Sequence, residues 1–333
     1  MRHNSLTMNA QDYSSVFILT DQNVYPFWLP EACHWLKCPQ AIEIVIKEGE
    51  EQKNLQTVQR IWKTLMKHHA DRHSLLINLG GGVVCDLGGF AASTFMRGID
   101  FINVPTTLLA MVDAAIGGKT GIDFGGCKNQ IGTFAQPKEI FCFPTTLMTL
   151  PHREILSGMA EMIKYGFIAD AELLKVDLDN FEQYISRCAN IKRQIVANDP
   201  QEIDQRKILN FGHTLGHAFE SFSLTTDSPL RHGEAVALGM WCALWISVRQ
   251  CGLDENVLND YANKLSMLME EAQVAINEKD IDAIMTYLTH DKKSFGSQTR
   301  FVLLEALGKP LIDQQVPENL IRKSVVELLK IVR

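Results

Sequence analysis

The sequence lacks several features that would assign a protein to a class at once. None of its eight cysteines forms a CxxC pair, and the opening MRHNSLTMNAQDYSS contains no apolar segment typical of a secretory signal. The longest apolar stretch, 235–248, is too short to cross a bilayer. We therefore expect reduced thiols, a cytoplasmic location and no membrane segment.

An excess of positive charge is also absent. The 333 residues include 32 lysines and arginines against 39 aspartates and glutamates, which gives a formal net charge of −7. A nucleic-acid partner needs a positive field, so we expect none. A small anionic substrate needs only a local basic pocket and remains compatible with this charge.

Short apolar runs alternate with amphipathic stretches in the first half of the chain. Strands alternating with helices indicate a parallel sheet with helical crossovers. The helical spacing of 55–68 predicts a helix. The apolar runs predict strands at 16–19, 41–46, 74–79, 99–104 and 139–143.

Long helical patterns dominate after residue 150, and a strand-like run remains at 300–305. The length allows two domains, each with its own core. We therefore predict an α/β chain with a parallel-sheet domain over 1–150. An all-helical domain is predicted over 151–333. The predicted helices are 153–168, 171–197, 208–222 and 232–250.

A glycine turn follows the third predicted strand. Gly80, Gly81 and Gly82 lead into the helix-like sequence VVCDLGGFAASTF. Glycines let backbone N–H groups approach an anion, and a helix N-terminus adds a favourable partial charge. The turn does not match GxGxxG, so it indicates either a nucleotide site or a plain tight turn.

A second glycine-rich segment, DAAIGGKTGIDFGGCKN at 113–129, carries two lysines and an asparagine. Lys119 and Lys128 would act as point charges if the segment folded around phosphate oxygens. The alternative is a flexible, solvated loop.

Histidines are placed for metal binding in the second half. His213 and His217 lie at i and i+4 on one helix face, and His232 begins another helix. Two or three histidines with a carboxylate suit zinc, although an HxxxH pair also arises by coincidence. Thr214 stands where HExxH would have its glutamate, which argues against a zinc protease.

A carboxylate and a lysine share one face of an otherwise apolar helix, GMAEMIKYG at 158–166. A buried carboxylate needs a partner. Glu161 and Lys164 are therefore either an intrahelical ion pair or a metal ligand beside a substrate-binding lysine.

Six motifs together resemble the 3-dehydroquinate synthase family. They are LGGGVVCDLGGFAASTFMRG, VPTTLLAMVDAAIGGKTGID, KNQIGTFAQP, GMAEMIKYG, NFGHTLGHAFE and RHGEAVALGM. The resemblance extends from Asp21 to the DKK segment that begins at Asp291. It implies a homodimeric, NAD-dependent enzyme that converts 3-deoxy-D-arabino-heptulosonate 7-phosphate to 3-dehydroquinate and phosphate. The resemblance further implies that the domain over 1–150 is Rossmann-like and binds NAD, and that the domain over 151–333 binds metal and substrate. It also implies a fold shared with glycerol dehydrogenase-like enzymes.

The resemblance also implies roles for individual residues. The ligands of one divalent ion, zinc or cobalt, would be Glu161, His213 and His232. The catalytic residues would be Asp113, Lys119, Lys164, Asn210 and His217. The other substrate-binding residues would be Asn129, Lys192, Arg206, one of Lys292 and Lys293, and Arg97 reaching from the neighbouring subunit. The NAD site would comprise Asp21, Asn23, Glu50, Lys53, Gly81, Gly82, Asp86, Thr106, Thr107 and Lys128.

Some positions depart from the family pattern. Cys127 stands where a small residue is expected, Ala135 replaces an aromatic residue, and 199–206 reads DPQEIDQR without the usual glycine pair. The spacing of Lys192, Arg206 and Asn210 still matches. The rival interpretations are a sibling sugar-phosphate cyclase, a glycerol-dehydrogenase-like oxidoreductase, and a regulatory protein that binds NAD and metal without turnover.

Overall fold

The computed structural model describes residues 10–125, 127–290 and 299–332. The chain divides into two compact units, Met1–Leu150 and Pro151–Arg333. Among the described residues, none of the helices combines the length and the apolar character needed to cross a bilayer.

The first unit is built on a four-stranded sheet in which every strand pair is parallel. The strand order is β2-β1-β3-β4. The strands are β1 Val16–Asp21, β2 Ile42–Ile46, β3 Leu75–Gly80 and β4 Asp100–Pro105. The helices are α1 Tyr25–Trp35, α2 Leu55–Lys67 and α3 Gly82–Thr94. The predicted strands 16–19, 41–46, 74–79 and 99–104 and the predicted helix 55–68 are confirmed.

Both faces of this sheet are buried. Phe17, Leu19 and Leu76 belong to one hydrophobic cluster, while Ile18 and Ile77 belong to the other. Successive side chains of a strand point to opposite faces, so a strand covered on both sides reads as a continuous apolar run. The uninterrupted runs of the sequence are explained by this burial.

The predicted strand 139–143 is wrong. Ile140 alone makes a β-bridge, to Asn103 of β4. Pro137 precedes the segment, and Pro144 begins a short 3₁₀ helix, Pro144–Thr149. Proline has no N–H to donate, so neither Pro137 nor Pro144 can add a hydrogen bond to this pairing.

The second glycine-rich segment is not a flexible loop. A π-helical turn at Ala110–Ala114 leads into an antiparallel hairpin of β5 Lys119–Phe124 and β6 Cys127–Phe134. Gly121 pairs with Gly132, and a Cβ on Gly132 would lie 2.3 Å from the Thr120 carbonyl oxygen. The glycines therefore allow the two strands to approach closely.

The second unit is mainly helical, and it also contains an antiparallel strand pair, β7 Arg300–Ala306 and β8 Lys309–Gln315. The first of these strands was predicted at 300–305. The helices are α4 His152–Ile168, α5 Ile185–Asn198, α6 His213–Ser223, α7 His232–Gln250, α8 Glu255–Leu268, α9 Ile281–His290 and α10 Glu318–Leu329.

Helix α7 is the centre of the second unit, and its residues 233–247 are all buried. It packs against α4, α6, α8 and α10. A Cβ on Gly233 would lie 2.0 Å from the Ser157 carbonyl oxygen of α4. A Cβ on Gly239 would lie 2.0 Å from the Gly212 carbonyl oxygen at the start of α6. These glycines bring α4 and α6 against α7.

Two predicted helices are interrupted. The segment 171–197 contains 3₁₀ turns at Ala171–Lys175 and Phe181–Tyr184 before α5 begins. The segment 208–222 begins as a 3₁₀ turn, Gln205–Asn210, and α6 follows it. Gly212 has a φ of 80° between the two, a conformation that glycine adopts without strain. His213 is therefore the first residue of α6.

Candidate functional site

Three predicted metal ligands converge in the second unit. Glu161 lies on α4, while His213 and His232 are the first residues of α6 and α7. The Oε1 atom of Glu161 is 3.5 Å from Nε2 of His213 and 3.3 Å from Nε2 of His232. One ligand atom from each residue lies within 4.8 Å of the other two.

These separations suit a divalent ion. Ligand atoms about 2.0–2.2 Å from a tetrahedral ion lie roughly 3.3–3.6 Å from one another. The Glu161 side chain is fully buried, and a carboxylate in that position needs a compensating positive charge. One carboxylate and two imidazoles also leave coordination positions for substrate oxygens.

The two histidines differ in their electrostatic environment. Burial, reinforced by the Lys164 ammonium group, lowers the pKa of His213 to about 3. Burial also lowers the pKa of His232, but hydrogen bonds with Glu161 and Glu220 outweigh it and raise this pKa to about 10. A divalent ion would replace the His232 proton as the charge that compensates Glu161.

Lys164 and His217 lie beside this centre. Lys164 is buried and forms an ion pair with Glu161. The His217 ring is exposed, with its centroid 5.3 Å from that of His213 and 6.1 Å from that of His232. His217 also belongs to a second set of close donor atoms, with Glu220 and His232. Its predicted place outside the metal ligands stays a prediction.

Glu220 is a residue that the sequence interpretation missed. Its Oε2 atom is 3.5 Å from Nδ1 of His232. The spacing of His213, His217 and Glu220 is i, i+4 and i+7, which places all three on one face of a helix. That spacing could have identified the carboxylate from the sequence.

The predicted carboxylate-binding residues are buried basic side chains of the second unit. Lys192 is 6% exposed and Arg206 is 2% exposed. Arg206 donates from Nη1 to the Pro200 carbonyl oxygen at 2.7 Å. Asn210 donates from Nδ2 to Oε1 of Glu202 at 2.7 Å, and Oε2 of the same Glu202 is 3.9 Å from Nε of Arg206. Glu202, also missed, thus orients Arg206 and Asn210.

The segment DPQEIDQR at 199–206 lacks the glycine pair of the family pattern, yet hydrogen bonds fix the backbone at Arg206. The Asp199 carboxylate accepts from the backbone N–H groups of Ile203, Asp204 and Arg206 at 2.8–3.0 Å. Burial acts to raise the pKa of Asp199, but these hydrogen bonds, of which the one from Asp204 has the largest effect, lower it. The predicted residues Lys292 and Lys293 lie outside the described residues.

The first unit carries the residues predicted to bind NAD. Helix α3 begins at Gly82, and a Cβ on Gly81 would lie 2.9 Å from Cγ2 of Thr107. The Thr107 hydroxyl accepts from Ala110 N, and the neighbouring Thr106 is buried. The turn therefore presents backbone rather than side chains to whatever approaches the N-terminus of α3.

Lys53 connects a predicted NAD residue with a predicted substrate residue. Its Nζ atom donates to Oδ2 of Asp86 and to Oδ1 of Asn129, each at 2.6 Å. Asn129 has a φ of 53° and donates its backbone N–H to Asp123 Oδ1 at 2.8 Å. The hairpin carrying Asn129 is thereby fixed to α3.

The remaining residues of this unit occupy several positions. Asp21 accepts from the backbone N–H groups of Asn23 and Val24, at 2.9 and 3.0 Å. Burial raises the pKa of Asp21. Lys128 is 3.9 Å from Glu50. Asp113 lies in the π-helical turn and Lys119 is the exposed first residue of β5.

Arg97 lies at the end of a short turn, Phe95–Arg97, that follows α3. Its φ is 69° and its side chain is exposed. It lines a cavity of about 320 Å³ with Asp100, Gln136, Lys138 and seven other residues. Ala135, which replaces the aromatic residue of the family pattern, is among them.

Comparison with known proteins identifies the family. The 3-dehydroquinate synthase N-terminal family matches residues 43–157, and the 3-dehydroquinate synthase C-terminal family matches residues 158–294. A 3-dehydroquinate synthase from Parabacteroides distasonis is 39% identical over 329 residues, which cover 96% of this chain and 92% of that protein.

Solved structures also match nearly the whole chain. A 2-deoxy-scyllo-inosose synthase complexed with carbaglucose-6-phosphate, NAD⁺ and Co²⁺ has a TM-score of 0.84 at 26% identity. That match covers 96% of this chain and 92% of that chain. A glycerol dehydrogenase from Schizosaccharomyces pombe has a TM-score of 0.61 at 14% identity, covering 97% and 85%, and shares the fold alone. The chain belongs to the 3-dehydroquinate synthase family.

Proposed function

We propose that this chain converts 3-deoxy-D-arabino-heptulosonate 7-phosphate to 3-dehydroquinate and phosphate. The reaction combines a transient oxidation by NAD, elimination of phosphate, reduction, ring opening and aldol closure. One observation supports this proposal above all. In a chain that belongs to this family, Glu161, His213 and His232 converge at distances suited to one metal ion.

One divalent ion, zinc or cobalt, would be held by Glu161, His213 and His232. When bound, it supplies Lewis acidity to the substrate hydroxyl that is oxidised. Lys164 lies against Glu161 and limits the negative charge of the buried carboxylate. The imidazole of His217, which is exposed and near His213, would exchange a proton with substrate.

The substrate carries a carboxylate and a phosphate, and both groups suit basic and amide side chains. Lys192 and Arg206 would bind the carboxylate, with Asn210 held beside Arg206 through Glu202. Lys119, in β5, and Asn129, in β6, would bind the phosphate. Charge-assisted hydrogen bonds of this kind are stronger than neutral ones.

NAD would bind at the N-terminus of α3. Gly81 and Gly82 would let the backbone approach the diphosphate, and Lys53 donates to Asp86 near the start of this helix. The NAD site would be completed by Asp21, Asn23, Glu50, Thr106, Thr107 and Lys128. Because the hydride returns within each turnover, the cofactor is regenerated.

A cytoplasmic homodimer is part of the same proposal. Arg97 would reach the substrate phosphate of the partner subunit, and a two-fold axis would make the exchange reciprocal. Met96 precedes Arg97 in the sequence, and Phe134 lines the same cavity as Arg97. Both side chains are exposed and offer apolar surface for a contact between subunits. All eight cysteines are thiols, as a reducing compartment would keep them.

One assay tests the activity. Purified chain with the sugar phosphate, NAD and Zn²⁺ or Co²⁺ should release phosphate with no net gain in NADH absorbance. The His213→Ala variant under the same conditions should release none. Net NADH would indicate a dehydrogenase instead, and absence of turnover in the wild-type chain would indicate a protein that binds without catalysis.

A further inference from the structure

The His232 ring lies between two carboxylates. Its Nε2 atom is 3.3 Å from Oε1 of Glu161, and its Nδ1 atom is 3.5 Å from Oε2 of Glu220. Glu161 is on α4 and Glu220 is on α6, so the ring at the start of α7 is contacted from two other helices.

We propose that Glu220 is a positioning residue for the metal centre. It accepts the Nδ1–H of His232 and so fixes the tautomer whose Nε2 lone pair faces Glu161 and His213. A neutral imidazole has one N–H and one lone pair, and the acceptor on one nitrogen decides which nitrogen is left to bind metal. This inference rests on the metal site proposed above.

The other histidine is oriented in the same way. Nδ1 of His213 lies 3.1 Å from the Phe211 carbonyl oxygen, and its Nε2 faces Glu161. Both rings therefore direct Nε2 towards the centre and Nδ1 towards an oxygen. The acceptor for His213 is a backbone carbonyl, which no substitution of a side chain removes, whereas the acceptor for His232 is the Glu220 carboxylate.

Hydrogen bonds hold Glu220 and the backbone before His232 together. The Ser223 hydroxyl donates to the Glu220 carbonyl oxygen at 2.7 Å and accepts from Leu230 N at 2.9 Å. Glu220 is 7% exposed, so water does not readily replace it as an acceptor. The 3.5 Å separation from His232 is at the long end for a hydrogen bond.

A competing use of Glu220 is as a ligand. His217, Glu220 and His232 also place donor atoms within 4.8 Å of one another. An ion at that set would need Nδ1 of His232 without its proton while Nε2 serves the first ion. A doubly deprotonated ring is unfavourable near neutral pH, because a neutral imidazole keeps one N–H. The positioning role needs no such state.

The test measures metal affinity of the metal-free protein. Glu220→Gln and Glu220→Ala should weaken Co²⁺ binding, followed by visible absorbance in competition with a chelator, by about 10- to 100-fold. The matched control is Glu271→Gln, since Glu271 Oε1 makes the same kind of contact, at 2.8 Å, with the exposed His152 outside the metal ligands. Its affinity should stay at the wild-type value.

A second readout separates positioning from general stability. ¹⁵N histidine spectra of the Zn²⁺-loaded protein should show His232 protonated at Nδ1 in the wild type, with this signal altered in Glu220→Gln. The far-UV circular dichroism spectrum of metal-free Glu220→Gln should match that of Glu271→Gln, because glutamine keeps the volume of the side chain and the fold is retained.

Two outcomes would overturn the inference. Equal Co²⁺ affinity in Glu220→Gln and Glu271→Gln would mean that Glu220 does not orient His232. Two ions per wild-type chain, with one lost in Glu220→Gln, would make Glu220 a ligand. If the wild-type chain binds no ion, or if His213→Ala binds as well as wild type, the proposed metal site itself fails, which is a distinguishable result.

Discussion

Lys53 and Asp86 form a buried ion pair, with Nζ 2.6 Å from Oδ2, between the segment before α2 and the first turns of α3. Their side chains are 5% and 21% exposed. Burial lowers the pKa of Lys53, but the Asp86 charge and the other acidic groups around it outweigh burial and raise this pKa. Lys53 therefore stays charged at neutral pH.

We expect Lys53→Met to destabilise the chain by about 3 kcal/mol, because it removes the buried cation that pairs with the Asp86 carboxylate. The effect should be read from urea unfolding. The matched control is Lys138→Met, whose ion pair with Asp100 spans 3.4 Å between exposed groups and should contribute less than about 1 kcal/mol. Equal losses in the two variants would mean that the Lys53 pair adds no more than a surface contact.

A second prediction concerns the close approach of α6 and α7. A Cβ on Gly239 would lie 2.0 Å from the Gly212 carbonyl oxygen, so Gly239→Ala must move one helix away from the other. We expect a loss of about 1–3 kcal/mol in the free energy of unfolding. Co²⁺ affinity should also fall, because His213 and His232 begin these two helices.

The control for that variant is Gly252→Ala. Gly252 has a φ of 76° and an added Cβ would meet nothing within 4 Å, so the change introduces backbone strain without a helix–helix clash. It should lower stability by about 1 kcal/mol and leave Co²⁺ affinity unchanged. A Gly239→Ala variant with wild-type Co²⁺ affinity would contradict the idea that this glycine sets the spacing of the ligands.

The parallel sheet could be predicted from the sequence because its strands are buried on both faces and read as apolar runs. The hairpin could not, since its pairing depends on glycines facing each other and β6 is largely exposed, without alternation. Residues 139–143 are as apolar as a strand, yet they form one bridge with β4, and the prolines at 137 and 144 have no N–H to add to it. Local pattern and tertiary pairing disagree there.

The metal site, too, could be predicted only in part from the sequence. The i, i+4 spacing of His213 and His217 is visible in the sequence, and so is the pairing of Glu161 with Lys164. Their convergence with His232 depends on close contacts of α7 with two other helices, which no local pattern encodes. Resemblance to the family supplied that part of the prediction.

A third prediction distinguishes the roles of the two histidines of α6 in metal binding. His213→Ala should lose the metal ion, because its Nε2 faces the Glu161 carboxylate, whereas His217→Ala should retain it. Elemental analysis of the purified variants measures this directly. Loss of metal from His217→Ala alone would show that the assignment of ligands is wrong. Chelation of the wild-type protein should abolish activity, and added Zn²⁺ or Co²⁺ should restore it.

A fourth prediction concerns Arg206. Arg206→Lys keeps the charge but loses the planar fork that binds a carboxylate through two hydrogen bonds. A charge-assisted contact contributes about 1.5–3 kcal/mol, so kcat/KM should fall by about 10- to 100-fold. The control is Arg187→Lys, at an exposed ion pair with Asp170, which should keep wild-type kcat/KM. Unchanged kcat/KM in Arg206→Lys would remove Arg206 from the carboxylate site.

The last prediction is complementation between two inactive variants. If Arg97 serves the partner subunit, Arg97→Ala and His213→Ala each inactivate the sites of their own homodimers. Refolding them together at equal concentration should give about half mixed dimers. In a mixed dimer, one site combines an intact metal centre with an intact Arg97, and the other has neither. Activity should then recover to roughly a quarter of the wild-type value.

The recovery depends on which subunit supplies the arginine. If Arg97 acted within its own subunit, every site of a mixed dimer would lack either the arginine or His213, and no activity would return. Mixing Arg97→Ala with the wild-type chain and measuring mixed dimers by mass establishes that exchange occurs. A pair of variants that change the same site, His213→Ala and His232→Ala, should show no recovery, because each subunit then lacks a metal ligand. Recovery in the first pair and none in the second would require an active site built from two chains.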